Sequence, residues 1–325
     1  MPVWKGIMQQ MENLVFSLNA TVPVFLMMIL GLFFKKIGFI SDTLADEMNK
    51  FVFLIPLPVL VFSDLATVDF EEVWNMKFVL FCFGATVISI AIFYGSLHFF
   101  GRISPYKENL SSLPTEAART LLGIAFIQNI YGTAGMAPLM IIGSVPLYNM
   151  MAVLVLSLFR PGQNGLDRHV VKRTLIGIIK NPIIIGIVAG LAWSALRIPM
   201  PNIMEKTVNS VAGVATPMGL MAMGATFDIR KAFAKVKPAV AATLIKLVGF
   251  AAIFLPLAAQ MGFRQEELVA ILVMLGSATT VSCFVMARNM GHEGVLSSSV
   301  VMLTTLFSAF TLTGWLYVMK SLSLI

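Results

Sequence analysis

The chain has 325 residues, 58% of them apolar and only 12% charged, with a formal net charge of +7. Soluble globular domains run at about 25% charged residues, and uncharged stretches near 20 residues recur along the whole length. A soluble, disordered or collagen-like protein is therefore excluded, and the sequence reads as a membrane protein that crosses the bilayer many times. Cys82 and Cys283 both fall inside apolar runs, which makes them small buried hydrophobes and not a disulfide.

The first uncharged window, 14–34, is long enough at about 1.5 Å per residue to cross about 30 Å of hydrocarbon. With no small-residue cleavage site, it reads as a retained helix. The second window, 51–63, is short and carries Pro56 and Pro58. It spans only if its helix begins near Thr43 and bends or breaks at the prolines. The third runs from 78 to 101, interrupted by His98 alone. Next come forty residues without a charge, 120–159, which as one helix would measure about 60 Å and so must form a hairpin of spans four and five. Gly143-Ser144-Val145-Pro146 is the expected turn. The second half supplies spans six to ten at 174–196, 207–227, 238–263, 268–287 and 294–319.

Orientation follows from the basic residues between spans, since the positive-inside bias counts them in short loops. One side holds Lys5, Lys77, Arg197, Lys206, Arg264 and Lys320. The other holds sixteen of the 23 basic residues, and Lys246 lies within a span. The richer side is placed in the cytoplasm and both termini outside, in the plasma membrane, which for a bacterium is the inner membrane. The net positive charge is thus a topological signal, with no reason to invoke nucleic acid. The bilayer is the partner it implies.

The polar stretch from Arg160 to Arg173 divides the chain near its midpoint. We place a first five-helix unit at 1–160, a cytoplasmic linker at 161–172 and a second five-helix unit at 173–325. Because five is odd, homologous halves must sit upside down relative to each other. Pro23, Gly31, Leu32 and Pro58 recur as Pro182, Gly190, Leu191 and Pro217, each displaced by 159 positions. Inverted repeats of this kind are a recurring construction of secondary transporters, with sites where broken helices from the two halves meet. The midsections of spans four and nine fit that expectation. Span four carries Gln128, Asn129, Tyr131, Gly132, Thr133, Gly135 and Pro138, and we expect a break at Gly135 and Pro138. Span nine carries Gly276-Ser277-Ala278-Thr279-Thr280-Val281-Ser282-Cys283. Small and hydroxyl residues there suit either close helix packing or an interruption whose freed backbone faces a cavity.

The segments KNPIIIGIVAGLAWSAL from Lys180, FLIPLP from Phe53, Pro217-Met218-Gly219-Leu220 with Gly224-Ala225, and Phe284-Val285-Met286-Ala287-Arg288 together resemble the auxin efflux carrier family, within the bile-acid and arsenite transporter superfamily. Their order and spacing cover nearly the whole chain, and the likeness is nearest to the bacterial organic-acid carriers. The resemblance implies an all-α membrane protein of ten transmembrane helices in two inverted five-helix repeats, with helices four and nine broken and crossing at the midplane. It also implies a transporting bundle that moves against a scaffold. It places Asn129 and Asn149 against the substrate, with Tyr131, Gly132, Thr133, Thr279, Thr280 and Ser282 nearby. The sequence departs from the family in span nine, where Ala278 replaces the usual proline. A break there must be held by side-chain hydrogen bonds or by the glycine upstream.

Half-helix N-termini carry partial positive charge and unpaired N–H donors, so the expected cargo is a small organic anion. Lys246 stands well inside span eight, where facing lipid would cost about 2.5 to 3.5 kcal/mol. It either snorkels to the interface or turns inward to attract the anion. Asp64 and Asp228 follow the equivalent prolines and are candidate gate or coupling residues. The coupling ion, H+ or Na+, and a homodimeric state stay open. A sodium-coupled symporter of the same architecture and an anion channel are the alternatives. The histidines are scattered and no hydrolase or metalloprotease motif occurs, so no enzyme, metal or cofactor is expected.

Overall fold

A computed structural model of the chain describes residues 15, 22–66, 75–101, 127, 136–158, 176–234 and 236–325, and among these every regular element is a helix. Helix α1 covers residues 22–36. Ser41 caps the next helix, its hydroxyl accepting from the Leu44 N–H at 3.1 Å, and α2 follows as Asp42–Leu54. The span expected to start near Thr43 therefore starts one residue earlier. It is interrupted at Ile55 and resumes as α3, Pro56–Ala66. Proline at the first position of α3 has no N–H to continue the ladder, yet the neighbours close over the gap. The Ile55 N–H reaches the Phe51 carbonyl at 3.0 Å and the Val59 N–H reaches Ile55 at 3.2 Å. The result is a kink one residue long.

Helix α4 is Met76–Gly101 and α5 is Ala137–Leu158. Here one expectation fails. Residues 143–146 do not turn but lie inside α5, with Pro146 in mid-helix. The glycine serves packing: a Cβ on Gly143 would fall 2.9 Å from the Cys82 side chain and 3.1 Å from the Val79 carbonyl, so α4 and α5 touch where a larger residue could not fit. Backbone groups freed by Pro146 have no water to turn to in a bilayer, and helical continuation satisfies the rest. Further along come α6 (Pro182–Ala195), α7 (Asn202–Ala225) and the short α8 (Ile229–Ala234). Helix α9, Val236–Gln260, contains a π-helical turn over Ile245–Gly249. The last elements are α10 (Glu266–Gly276), α11 (Val281–Asn289) and α12 (Val295–Ser321). Both cysteines are free and buried, as expected.

By length and composition, four helical stretches among the described residues can cross a membrane: Asp42–Ala66, Leu139–Leu156, Val236–Gln260 and Val295–Ser321. Two shorter apolar helices, α4 and α6, agree with that environment. Leu80, Phe83, Val87 and Ile88 on α4 and Ile185 and Val188 on α6 are exposed apolar side chains, which a bilayer accommodates and water would not.

Packing sorts the helices into two groups. In the first, α3 lies on α6, and α7 lies on α2 and α3. Phe62 meets Trp193 edge-on at 5.9 Å, and the Ser63 hydroxyl donates to Asn209 Oδ1 at 2.9 Å. Glycines make this group close. A Cβ on Gly190 would lie 2.9 Å from the Phe62 carbonyl oxygen, and one on Gly31 would overlap the Met221 backbone. These two contacts map onto each other, since Gly31 and Gly190, and Phe62 and Met221, are each 159 positions apart. In the second group α4 lies on α5, and α9, α10 and α12 pack on one another. Phe263 anchors it against Phe78 and Phe81, with ring centres 5.8 and 5.2 Å away. Every residue of α10 from Leu268 to Gly276 is buried, which marks it as an interior helix that touches no lipid.

Candidate functional site

Span nine is interrupted without a proline. α10 stops at Gly276 and α11 begins at Val281, with Ser277 and Thr280 both extended (φ −78°, ψ 166° and φ −76°, ψ 152°). Four residues of non-helical backbone thus lie in the interior, where Ser277, Ala278 and Thr279 are 1 to 3% exposed. Side chains hold them there. The Thr279 N–H donates to Thr304 Oγ1 of α12 at 3.0 Å, and that hydroxyl in turn donates to the Val300 carbonyl at 2.7 Å. The Cys283 N–H turns back to the Thr280 carbonyl at 3.2 Å. Gly276 closes α10 in a space bounded by Leu272 and Leu312. Both supports anticipated for a proline-free break are therefore present.

What the interruption leaves open is chemically specific. The hydroxyls of Ser277, Thr279 and Thr280 are buried without a hydrogen-bond partner among the described residues. Thr280 occupies the N-cap of α11 without capping it, so the Val281 and Ser282 N–H groups have no intrahelical acceptor. Buried polar groups are nearly always paired. Three buried hydroxyls without a partner among the described residues, beside a helix N-terminus, make a donor-rich, electropositive end whose chemistry suits an anion.

Lys246 does not snorkel. It is 1% exposed, in the π-helical turn of α9, with its ammonium 5.8 Å from the centre of the Tyr148 ring. A π turn releases a backbone carbonyl from the ladder, and here Trp315 Nε1 donates to the Leu247 carbonyl at 3.2 Å. The same carbonyl lies 3.8 Å from where a Cβ on Gly276 would sit, so the turn carrying Lys246 abuts the end of α10.

Other expected site residues are placed as follows. Asn149, next to Tyr148 on α5, is 3% exposed, and its Nδ2 donates to the Val145 carbonyl at 2.9 Å. Ser282 is half-buried in the first turn of α11. Asp64 is half-buried near the end of α3. Asp228 is exposed and caps α8, its Oδ1 accepting from the Arg230 and Lys231 N–H groups at 2.9 and 3.1 Å. In this structure Asp228 thus serves as a helix cap. Pro138 lies in the first turn of α5, while Asn129, Tyr131, Gly132, Thr133 and Gly135, with the expected break of span four, lie outside the described residues. Sequence reasoning missed Thr304 and Trp315. Thr304 sits among the serines and threonines of α12, a signal that was readable, whereas nothing local marks Trp315 as the partner of a released carbonyl.

Interior non-helical backbone beside several membrane-crossing helices among the described residues is a construction that membrane transporters use, because such backbone is tolerated at that depth only where protein encloses it or it lines a cavity. Residues 16–316 match the membrane transport protein family, and the chain belongs to that family, the auxin efflux carriers. It is 26% identical over 318 residues to a Rhizobium meliloti (strain 1021) protein named "Putative malonate transporter", covering 90% of this chain and 93% of the other.

Proposed function

We propose that the protein is a secondary carrier that moves a small organic anion by alternating access, with the carboxylate held at the interruption of span nine. The observation that carries this reading is the trio of buried, unpartnered hydroxyls at Ser277, Thr279 and Thr280 beside the uncapped start of α11. A carboxylate supplies the acceptors that these donors lack. The relative's name makes a malonate-like dicarboxylate the first cargo to try. In this reading Lys246 contributes positive charge from the adjoining turn, and Asn129 and Asn149 complete the recess from spans four and five.

The same reading takes the chain as ten helices in two inverted halves, 1–160 and 173–325. Reciprocal glycine contacts support it, Gly31 with Met221 and Gly190 with Phe62 at one common offset. The first packing group serves as scaffold and the second as the moving bundle, with the lysine- and arginine-rich face cytoplasmic. Thermal-shift titration of the purified protein with malonate and monocarboxylates tests the site. Malonate should stabilise the wild type, Thr279→Ala, Asn129→Ala and Asn149→Ala should weaken that response, and Lys246→Gln should abolish uptake into liposomes while the protein stays folded. Unchanged responses in all the site variants would sink the assignment. Uptake measured with and without Na+ separates this carrier from a sodium symporter.

A further inference from the structure

Helix α10 is enclosed by α5, α9 and α12, but α11, the continuation of the same span beyond the interruption, crosses to α2 and α7 of the other group. Its contact with α7 is smooth and apolar. Gly219 faces Val281 and Val285, and a Cβ there would stand 3.4 Å from a methyl of each, so nothing directional holds that part of the seam. The polar part of the contact with α2 comes from the last two residues of α11. Arg288 Nη2 and Nε donate to Asp46 Oδ1 at 3.0 and 3.3 Å, and Nη1 donates to the Glu293 carbonyl at 3.3 Å. Asn289 Nδ2 donates to the Asn49 carbonyl at 3.1 Å and to the Val285 carbonyl at 2.8 Å.

Beneath this contact is a group with no use for it. The Asn49 carboxamide is 1% exposed, and neither its nitrogen nor its oxygen has a hydrogen-bond partner among the described residues. A buried amide left so is destabilising, and an arrangement that pairs it would relieve that cost. The Asp46–Arg288 pair, with side chains 55 and 35% exposed, is of the weak kind that opens readily. The Asn49 carbonyl and its side chain sit one turn from Asp46, at the end of a helix that begins at the interruption roughly 12 Å away.

We infer that the seam between α2 and α11 is a gate, closed here by Asp46–Arg288 and Asn49–Asn289, which opens the route between the interruption at 277–280 and the basic face. When it opens, the Asn49 carboxamide is uncovered beside that route. The inference rests on the carrier reading, and its test needs no cargo. Ser277→Cys is introduced into a chain carrying Cys82→Ser and Cys283→Ser, and membrane vesicles of both orientations are treated with a membrane-impermeant maleimide. With the pair intact, labelling from the Arg288 face is slow. Arg288→Ala or Asp46→Ala raises it about two- to fivefold, the shift that an exposed ion pair supports, from that face alone. The swap of Asp46→Arg with Arg288→Asp restores the slow rate. No rise in either single variant, an equal rise from both faces, or a swap that fails to restore would each overturn the gate. Asn49→Leu should slow malonate exchange without lowering the melting temperature, and a lower melting temperature would make Asn49 a packing residue and remove it from the proposal. Should malonate neither bind nor move while the labelling pattern holds, the cargo is misassigned and the gate stands.

Discussion

Among the described residues two spans are interrupted, and they differ in what the interruption releases. Between α2 and α3 a proline breaks the ladder, but the Ile55 and Val59 amides find carbonyls four residues back. The chain is kinked there, and the amides on either side of the prolines stay bonded. Between α10 and α11 no proline is present, yet four residues leave the helix and three buried hydroxyls have no hydrogen-bond partner among the described residues. The residue that breaks a helix therefore says little about purpose. The fate of the freed polar groups says more: closed over locally they make a bend, and held open by a neighbour they make a recess.

Thr304 is the neighbour that holds the second interruption open, so it offers the largest perturbation. Thr304→Val leaves the Thr279 N–H buried without an acceptor and should lower stability by about 1 to 3 kcal/mol, seen as a lower melting temperature in detergent together with loss of the malonate response. Thr304→Ser, which keeps the oxygen, should recover most of both. Next come the unpaired hydroxyls themselves. Thr279→Ala and Thr280→Ala each remove a group with nothing to lose in the empty protein, so the melting temperature should hold or rise, while the malonate Kd rises by up to about tenfold for each bond removed. A fall in stability without a change in Kd would make these threonines structural and collapse the contrast between the two interruptions. Pro56→Ala, at the kink, should stay within about 1 kcal/mol of the wild type and leave Kd unchanged. The smallest effect is expected from Ala278→Pro. Ser277 already has the extended backbone that a residue before proline prefers, and the helix has already ended.

Much of this was legible in the residues, and the failures have physical causes. Pro56 and Pro58 announced the kink and the start of its helix to within one residue, because proline acts locally on its own backbone. The hydroxyl-rich run at 277–280 announced an interior feature but not its form, which depends on Thr304, a residue 25 positions away that happens to face Thr279. Gly143 and Pro146 misled, since in water such a pair ends a helix while inside a bilayer the ladder has no competitor. Lys246 was ambiguous for a related reason. Whether a long cationic side chain snorkels or turns inward depends on its neighbours in space, and only the packing of α5, α10 and α12 around the π turn decides it. The Asp46–Arg288 pair joins positions 242 apart in the chain, and no periodicity could have matched them.

The enclosure of α10 reaches beyond the site. A helix with no side toward the lipid cannot be reached by changes in acyl-chain length or headgroup composition, whereas α4 and α6 present apolar faces directly to them. Membrane composition should therefore act on how quickly the bundles rearrange and leave the intrinsic affinity of the recess alone. The carrier's sensitivity to its host bilayer then belongs to its outer walls, and the selectivity of its interior should survive transfer from one membrane to another.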